Sequence, residues 1–100
     1  MGAARVALGT VELHLPDVDS LKGKRHVLKG LKERVRARFE VAVAEVDHQD
    51  QWQRARLGVS AVSAEAFQLR KVMHEVERYV SRNPTVEIID HTMTLHGPDD

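Results

Sequence analysis

The sequence predicts a single α+β domain in the order β-α-β-β-α-β, the ferredoxin-like arrangement, on three observations. Two segments, Arg5 to Leu15 and Arg54 to Val62, alternate apolar and polar residues as half-buried strands do. Two others carry apolar residues at three- and four-residue spacings, the period of an amphipathic helix. Turn-forming residues stand where the period changes. Both helices should cover one face of a four-stranded antiparallel sheet of order 4-1-3-2, leaving the other face open.

Each element follows in turn. Val and Leu dominate the first strand, Arg5 to Leu15, and Pro16 ends it. Asp17-Val18-Asp19-Ser20 is a turn in which Ser20 or Asp19 can cap a helix. From Leu21, the residues Val27, Leu28, Leu31, Val35 and Phe39 mark the first helix. Val41 to Val46 is a second strand, apolar except for Glu45. His48-Gln49-Asp50-Gln51 makes a polar hairpin, and Arg54 to Val62 returns as the third strand. Ser63 is expected to cap a helix from Ala64 to about Arg82, with Ala66, Leu69, Val72, Met73, Val76 and Val80 facing the core. Asn83-Pro84 stops it, and Thr85 to Leu95 is the last strand. Residues 1–96 therefore form one domain, and 97–100 a disordered tail.

Composition narrows the chemistry. One hundred residues hold one core. There are no cysteines, so disulfides, thiolate metal sites and cysteine nucleophiles are excluded. No stretch approaches the ~18 apolar residues of a membrane span. The start lacks the basic and apolar regions of a signal peptide, so a cytoplasmic protein is expected.

Fifteen basic residues balance fifteen acidic ones, yet the charge is polarised. Lys22, Lys24, Arg25, Lys29, Lys32, Arg34, Arg36 and Arg38 lie between Ser20 and Phe39, opposed only by Glu33. At about 100° per residue, Lys22, Arg25, Lys29, Lys32 and Arg36 form one stripe beside the apolar face. Arg34 and Arg38 flank the other side. Lys24 falls close to the apolar stripe and is expected to snorkel or to lie in a frayed first turn. Like charges at i,i+4 oppose helix formation by a few tenths of a kcal/mol each, and Gly30 costs up to ~1 kcal/mol against alanine. A helix that carries such costs points to a partner: acidic surface of its own domain, an acidic protein, or a nucleic acid backbone. The stripe spans about 21 Å at 1.5 Å per residue, enough to meet several phosphates without reading sequence.

The open face should present Thr10, Glu12 and His14 from the first strand, and Arg54, Arg56 and Ser60 from the third. Pairing of Glu12 with Arg54 or Arg56 is expected to be a surface contact worth a fraction of a kcal/mol. Trp52, the only tryptophan, reads as a cap over the end of the sheet; exposed, it would be an interface or base-stacking anchor together with Arg54 and Arg56. RNA-recognition motifs of this topology stack bases on aromatics of the central strands, and these strands carry none. Asp47, His48 and Asp50 match no standard metal-ligand spacing. No phosphate loop, nucleophile elbow or HExxH is present. Leu15-Pro16-Asp17-Val18-Asp19-Ser20 does not resemble the phosphate cradle of acylphosphatase. No cofactor, metal or catalytic residue is expected, and the chain reads as non-enzymatic.

Four stretches carry a resemblance. They are Ser20-Leu21-Lys22-Gly23-Lys24-Arg25, Arg34-Val35-Arg36-Ala37-Arg38-Phe39, Val43-Ala44-Glu45-Val46-Asp47 with Asp50-Gln51-Trp52-Gln53-Arg54-Ala55, and Val86-Glu87-Ile88-Ile89-Asp90. Together they resemble the YlxP-like family of bacterial proteins of unknown function, from about Val6 to Leu95. The resemblance implies a ferredoxin-like fold, association with translation and ribosome maturation, and no established activity. The chain departs from the family's usual pattern at Gly23, where an acidic residue is common, and at Glu40, where asparagine is.

Taken together, these features lead us to expect a non-enzymatic domain that binds RNA or a ribosomal subunit through Lys22, Arg25, Lys29, Lys32 and Arg36, with Arg34 and Arg38 as outlying contacts. The alternative is a protein-interaction module or homodimer that uses the basic helix or the open sheet face.

Overall fold

The computed structural model describes residues 3–98. Its elements are β1 (Arg5–His14), α1 (Leu21–Phe39), β2 (Ala42–Asp47), β3 (Arg54–Ser63), α2 (Ala66–Ser81) and β4 (Glu87–His96). The strands pair antiparallel in the order β2-β3-β1-β4, the expected order read from the opposite edge. Element boundaries fall within about two residues of those expected. Of the expected tail, Gly97 and Pro98 follow β4, and Asp99 and Asp100 lie outside the described residues.

Strand alternation places the core. Ala7, Val11 and Leu13 of β1 and Ala55, Leu57 and Val59 of β3 turn to the helix side and are buried. Leu28, Leu31 and Val35 of α1 and Leu69, Met73, Val76 and Val80 of α2 pack onto them. Gly9 of β1 lets α2 sit close, because a Cβ there would collide with the end of Met73.

The helix ends differ from one another. Ser20 has extended backbone and its Oγ accepts the Gly23 N–H at 3.0 Å, a regular N-cap for α1. α2 corrects the expectation at Ser63: that residue belongs to β3, and its Oγ accepts from Glu65 N–H at 3.1 Å in a turn before the helix. Glu65 is the cap residue, without a side-chain bond. At the far end of α1, Glu40 is held in the left-handed region (φ 51°, ψ 51°), a conformation that favours glycine or asparagine. Glu40→Gly should therefore raise stability by about 0.5–1 kcal/mol, visible as a thermal midpoint a few degrees higher.

Two register irregularities shape the sheet. One falls in β2 between Glu45 and Asp47: Glu45 pairs with Leu57 and Asp47 with Arg56. Val46 is the extra residue, and Glu45 stays on the helix side. The second interrupts the β1–β4 pairing, where Glu12 faces Asp90 and Leu13 faces Ile88.

Candidate nucleic-acid interface

The stripe on α1 is largely presented to solvent. Lys22, Arg25, Lys29 and Arg36 are exposed and Lys32 is half-buried. Among the described residues, none of Lys22, Arg25, Lys29, Lys32, Arg34 and Arg38 pairs with a carboxylate. Arg36 also has a structural role, because its guanidinium donates to the Val43 carbonyl and so ties the helix to edge strand β2.

On the other flank, Arg38 lies over the rings of Phe39 and Tyr79 (5.6 and 5.3 Å), which themselves meet edge to face. Arg34 folds back along the helix over Gly30, where a Cβ would stand only 3.0 Å from its Nη1. Residues that periodicity and charge runs do not single out join them. The antiparallel approach of α2 sets Arg78 and Arg82 beside Arg38 in a groove between the helices, with Glu75 the acidic residue lining it. Arg34, Arg38 and Arg82 line its continuation beside Asn83. In sequence, Arg78 and Arg82 read as ordinary surface charge.

Lys24 departs from its expected place. Its side chain is only 1% exposed. Nζ donates to the carbonyls of His48 (2.5 Å) and Gln51 (2.8 Å) and lies 2.8 Å from Glu45 Oε2. Directed hydrogen bonds go to the two carbonyls; Glu45 Oε2 receives none, so that contact is one of charge. Desolvation makes such an arrangement costly unless the buried ammonium keeps hydrogen bonds and an opposite charge close by, as Lys24 does. Here it locks the β2–β3 hairpin onto the first turns of α1. Gln53 adds a second tie, donating from Nε2 to the carbonyls of Pro16 and Val18.

The open face also differs from the expected surface pair. Glu12 is 5% exposed. Its Oε1 accepts from Arg56 Nε at 2.9 Å, and its Oε2 lies 3.3 Å from Arg54 Nε and 2.8 Å from His48 Nε2. His48 reaches it from a left-handed backbone position (φ 64°), and Asp47 Oδ1 accepts the His48 N–H. Burial pushes the Glu12 carboxyl up. The Arg56 hydrogen bond, the His48 charge and the Arg54 bond outweigh it, so the group sits below the usual carboxylate range. A depressed folded-state value contributes stability above the ordinary carboxyl range that is lost as pH falls through the lowered value. Glu12→Gln should therefore be less stable than the parent at pH 7, and the gap should close in urea titrations as pH falls below the ordinary carboxylate range.

Trp52 is not the expected cap: it is 53% exposed and makes no hydrogen bond or ring contact among the described residues. Asp17, Asp19 and Asp50 occupy the two loops that meet at this end, and Asp47 ends β2 beside them. Trp52 thus meets the condition of exposure set for an interface or base-stacking anchor, while the neighbouring carboxylates oppose a phosphate backbone beside it. Arg54 and Arg56, expected beside it as anchors, are instead engaged with Glu12.

Against known proteins, the chain matches the family described as "Protein of unknown function (DUF503)" over residues 6–93. The protein belongs to the DUF503 family. This DUF503 chain is 35% identical over 82 residues to the "Uncharacterized protein YlxP" of Bacillus subtilis (strain 168), covering 82% of this chain and 89% of that protein. The resemblance carried by the four sequence stretches therefore holds. The "De novo designed protein Foldit4" aligns over 90% of the DUF503 chain and 96% of its own, with TM-score 0.52 and 13% identity, a likeness of fold alone. No helix among the described residues is long and apolar enough to cross a membrane.

Proposed function

We propose that this DUF503 protein is a non-enzymatic cytoplasmic domain that binds RNA, free or within a ribosomal subunit, by gripping phosphates with α1. The observation that carries the reading is the row of α1 cations left without carboxylate partners in a chain of zero net charge. Folding commits acidic groups elsewhere: Glu45 to Lys24, and Glu12 to Arg54, Arg56 and His48. The local positive field is thus available to a polyanion. Such contacts fix position on a backbone and read no bases. Fluorescence anisotropy of a labelled single-stranded RNA at low salt tests the reading directly: saturable binding is expected, and its absence ends the proposal.

A second reading has its own observation. One end of the open sheet face is apolar, with Val6, Leu8, Val46 and Val62 all exposed, Val62 to 70%. Self-association through this face is the competing role. Light scattering decides it: a stable dimer dissociated by Leu8→Lys or Val62→Lys favours this reading.

A further inference from the structure

The basic residues around α1 are not one surface but two, and their separation carries information about the partner. Lys22, Arg25, Lys29, Lys32 and Arg36 share one flank of α1 by the helical period, and Arg36 ties that flank to β2 through the Val43 carbonyl. Arg34 and Arg38 line the flank towards α2, where Arg78 and Arg82 join them in the interhelical groove. Between the two rows runs the outward ridge of α1, formed by His26, Gly30, Glu33 and Ala37 at the helical period. None of the four is a lysine or arginine, though the Arg34 guanidinium folds back onto the ridge over Gly30. Two small residues keep it low.

A single strand presents one line of phosphates, whereas a duplex presents two lines either side of a groove. Two cation rows separated by a helix about 10–12 Å across match the second pattern. The major groove of an RNA duplex is too deep and narrow for side chains to read, but its wide, shallow minor groove can be spanned from above. We infer that the preferred ligand of this surface is double-stranded RNA, with α1 lying over the groove, its β2-side row on one backbone and Arg34, Arg38, Arg78 and Arg82 on the other. This rests on the RNA-binding reading above.

The chemistry of the second row fits its role. Arginine offers planar, multidentate donors to phosphate, and Arg38 is held against Phe39 and Tyr79, which limits the ordering needed on binding. Glu75 is the opposing charge in that groove and Glu33 the one on the ridge, against nine cations in the two rows. Central strands without aromatic residues offer no platform for unstacked bases, which removes the usual single-strand alternative on this fold.

The test compares one RNA sequence as a single strand and as a duplex of the same length, with a DNA duplex as the third probe. The wild-type protein should bind the RNA duplex at least about tenfold more tightly than the strand. Arg78→Glu/Arg82→Glu should remove that preference by weakening duplex binding alone; both side chains are exposed, and the neutral Arg78→Gln/Arg82→Gln pair guards against a folding artefact. Reversing Arg25, Lys29 and Lys32 should weaken both ligands. Equal affinity for strand and duplex, or no effect of the α2 arginines, overturns the duplex inference while stripe-dependent RNA binding still stands. A DNA duplex bound as well as the RNA duplex overturns the assignment to RNA geometry. No binding of any probe overturns the inference together with the RNA reading itself.

Discussion

Lys24→Met is expected to cost roughly 3–5 kcal/mol of unfolding free energy, the usual penalty for removing one partner of a buried ion pair. Methionine fills much of the same space, so the loss is electrostatic rather than a cavity. It strands the inward-facing Glu45 carboxylate, leaves the Gln51 carbonyl without the Lys24 donor, and reduces the His48 carbonyl to its bond from the Gln51 N–H. Glu45 keeps some solvent contact, with 18% of its side chain exposed, which favours the lower half of that range. Domains of this size hold about 5–15 kcal/mol in total, so the variant should unfold at markedly lower urea. Trp52 sits between the pinned residues Gln51 and Gln53, and its emission should report the loosened hairpin. Adding Glu45→Leu should recover part of the loss, since an apolar pair of similar volume is often no worse than a buried ion pair. A cost below about 1 kcal/mol for Lys24→Met would mean that the ion pair does not hold the hairpin.

Charge reversal on the exposed stripe should do the opposite: leave the fold intact and remove binding. Arg25, Lys29 and Lys32 are the residues to change, because Arg36 also supports β2 through the Val43 carbonyl. With about 0.7 counterions released per phosphate on a single strand, losing three contacts lowers affinity by about two orders of magnitude near 0.1 M salt. Repulsion by the new carboxylates adds to this. The thermal midpoint should hold or rise slightly, since reversal relieves like-charge neighbours along α1. A variant that binds as the parent does would show that the stripe only keeps a surface helix soluble.

Much of this protein could be read from its residues, and the misses share a cause. Periodicity located all six elements, and the topology rules for this element order supplied the strand arrangement. The helical wheel put Lys24 near the apolar face, but nothing near it in sequence says that carbonyls more than twenty residues downstream will converge on its ammonium. Glu12 shows the same limit. Alternation placed it on the open face beside Arg54 and Arg56, while the arrival of His48 from a left-handed hairpin position, which helps bury it, is a tertiary event. Arg78 and Arg82 became visible only once two helices packed antiparallel. The apolar end of the open face was legible: Val6 and Leu8 share the parity of Thr10 and Glu12, and Val62 that of Ser60. The alternation needed only to be followed to the strand ends. Trp52 escaped because a hairpin's direction depends on its backbone dihedrals, and the αL geometry at His48 has no pattern of its own.

One measurement bears most directly on the idea that unpaired cations of α1 await a phosphate backbone: the salt dependence of binding to a single-stranded RNA, for the parent and for the Arg25, Lys29 and Lys32 reversal. About five neutralised phosphates predict that log K falls against log salt with a slope near −3.5 in the parent, flattening to about −1.4 or less in the variant. A parent slope near zero, or the same slope in both proteins, would contradict it.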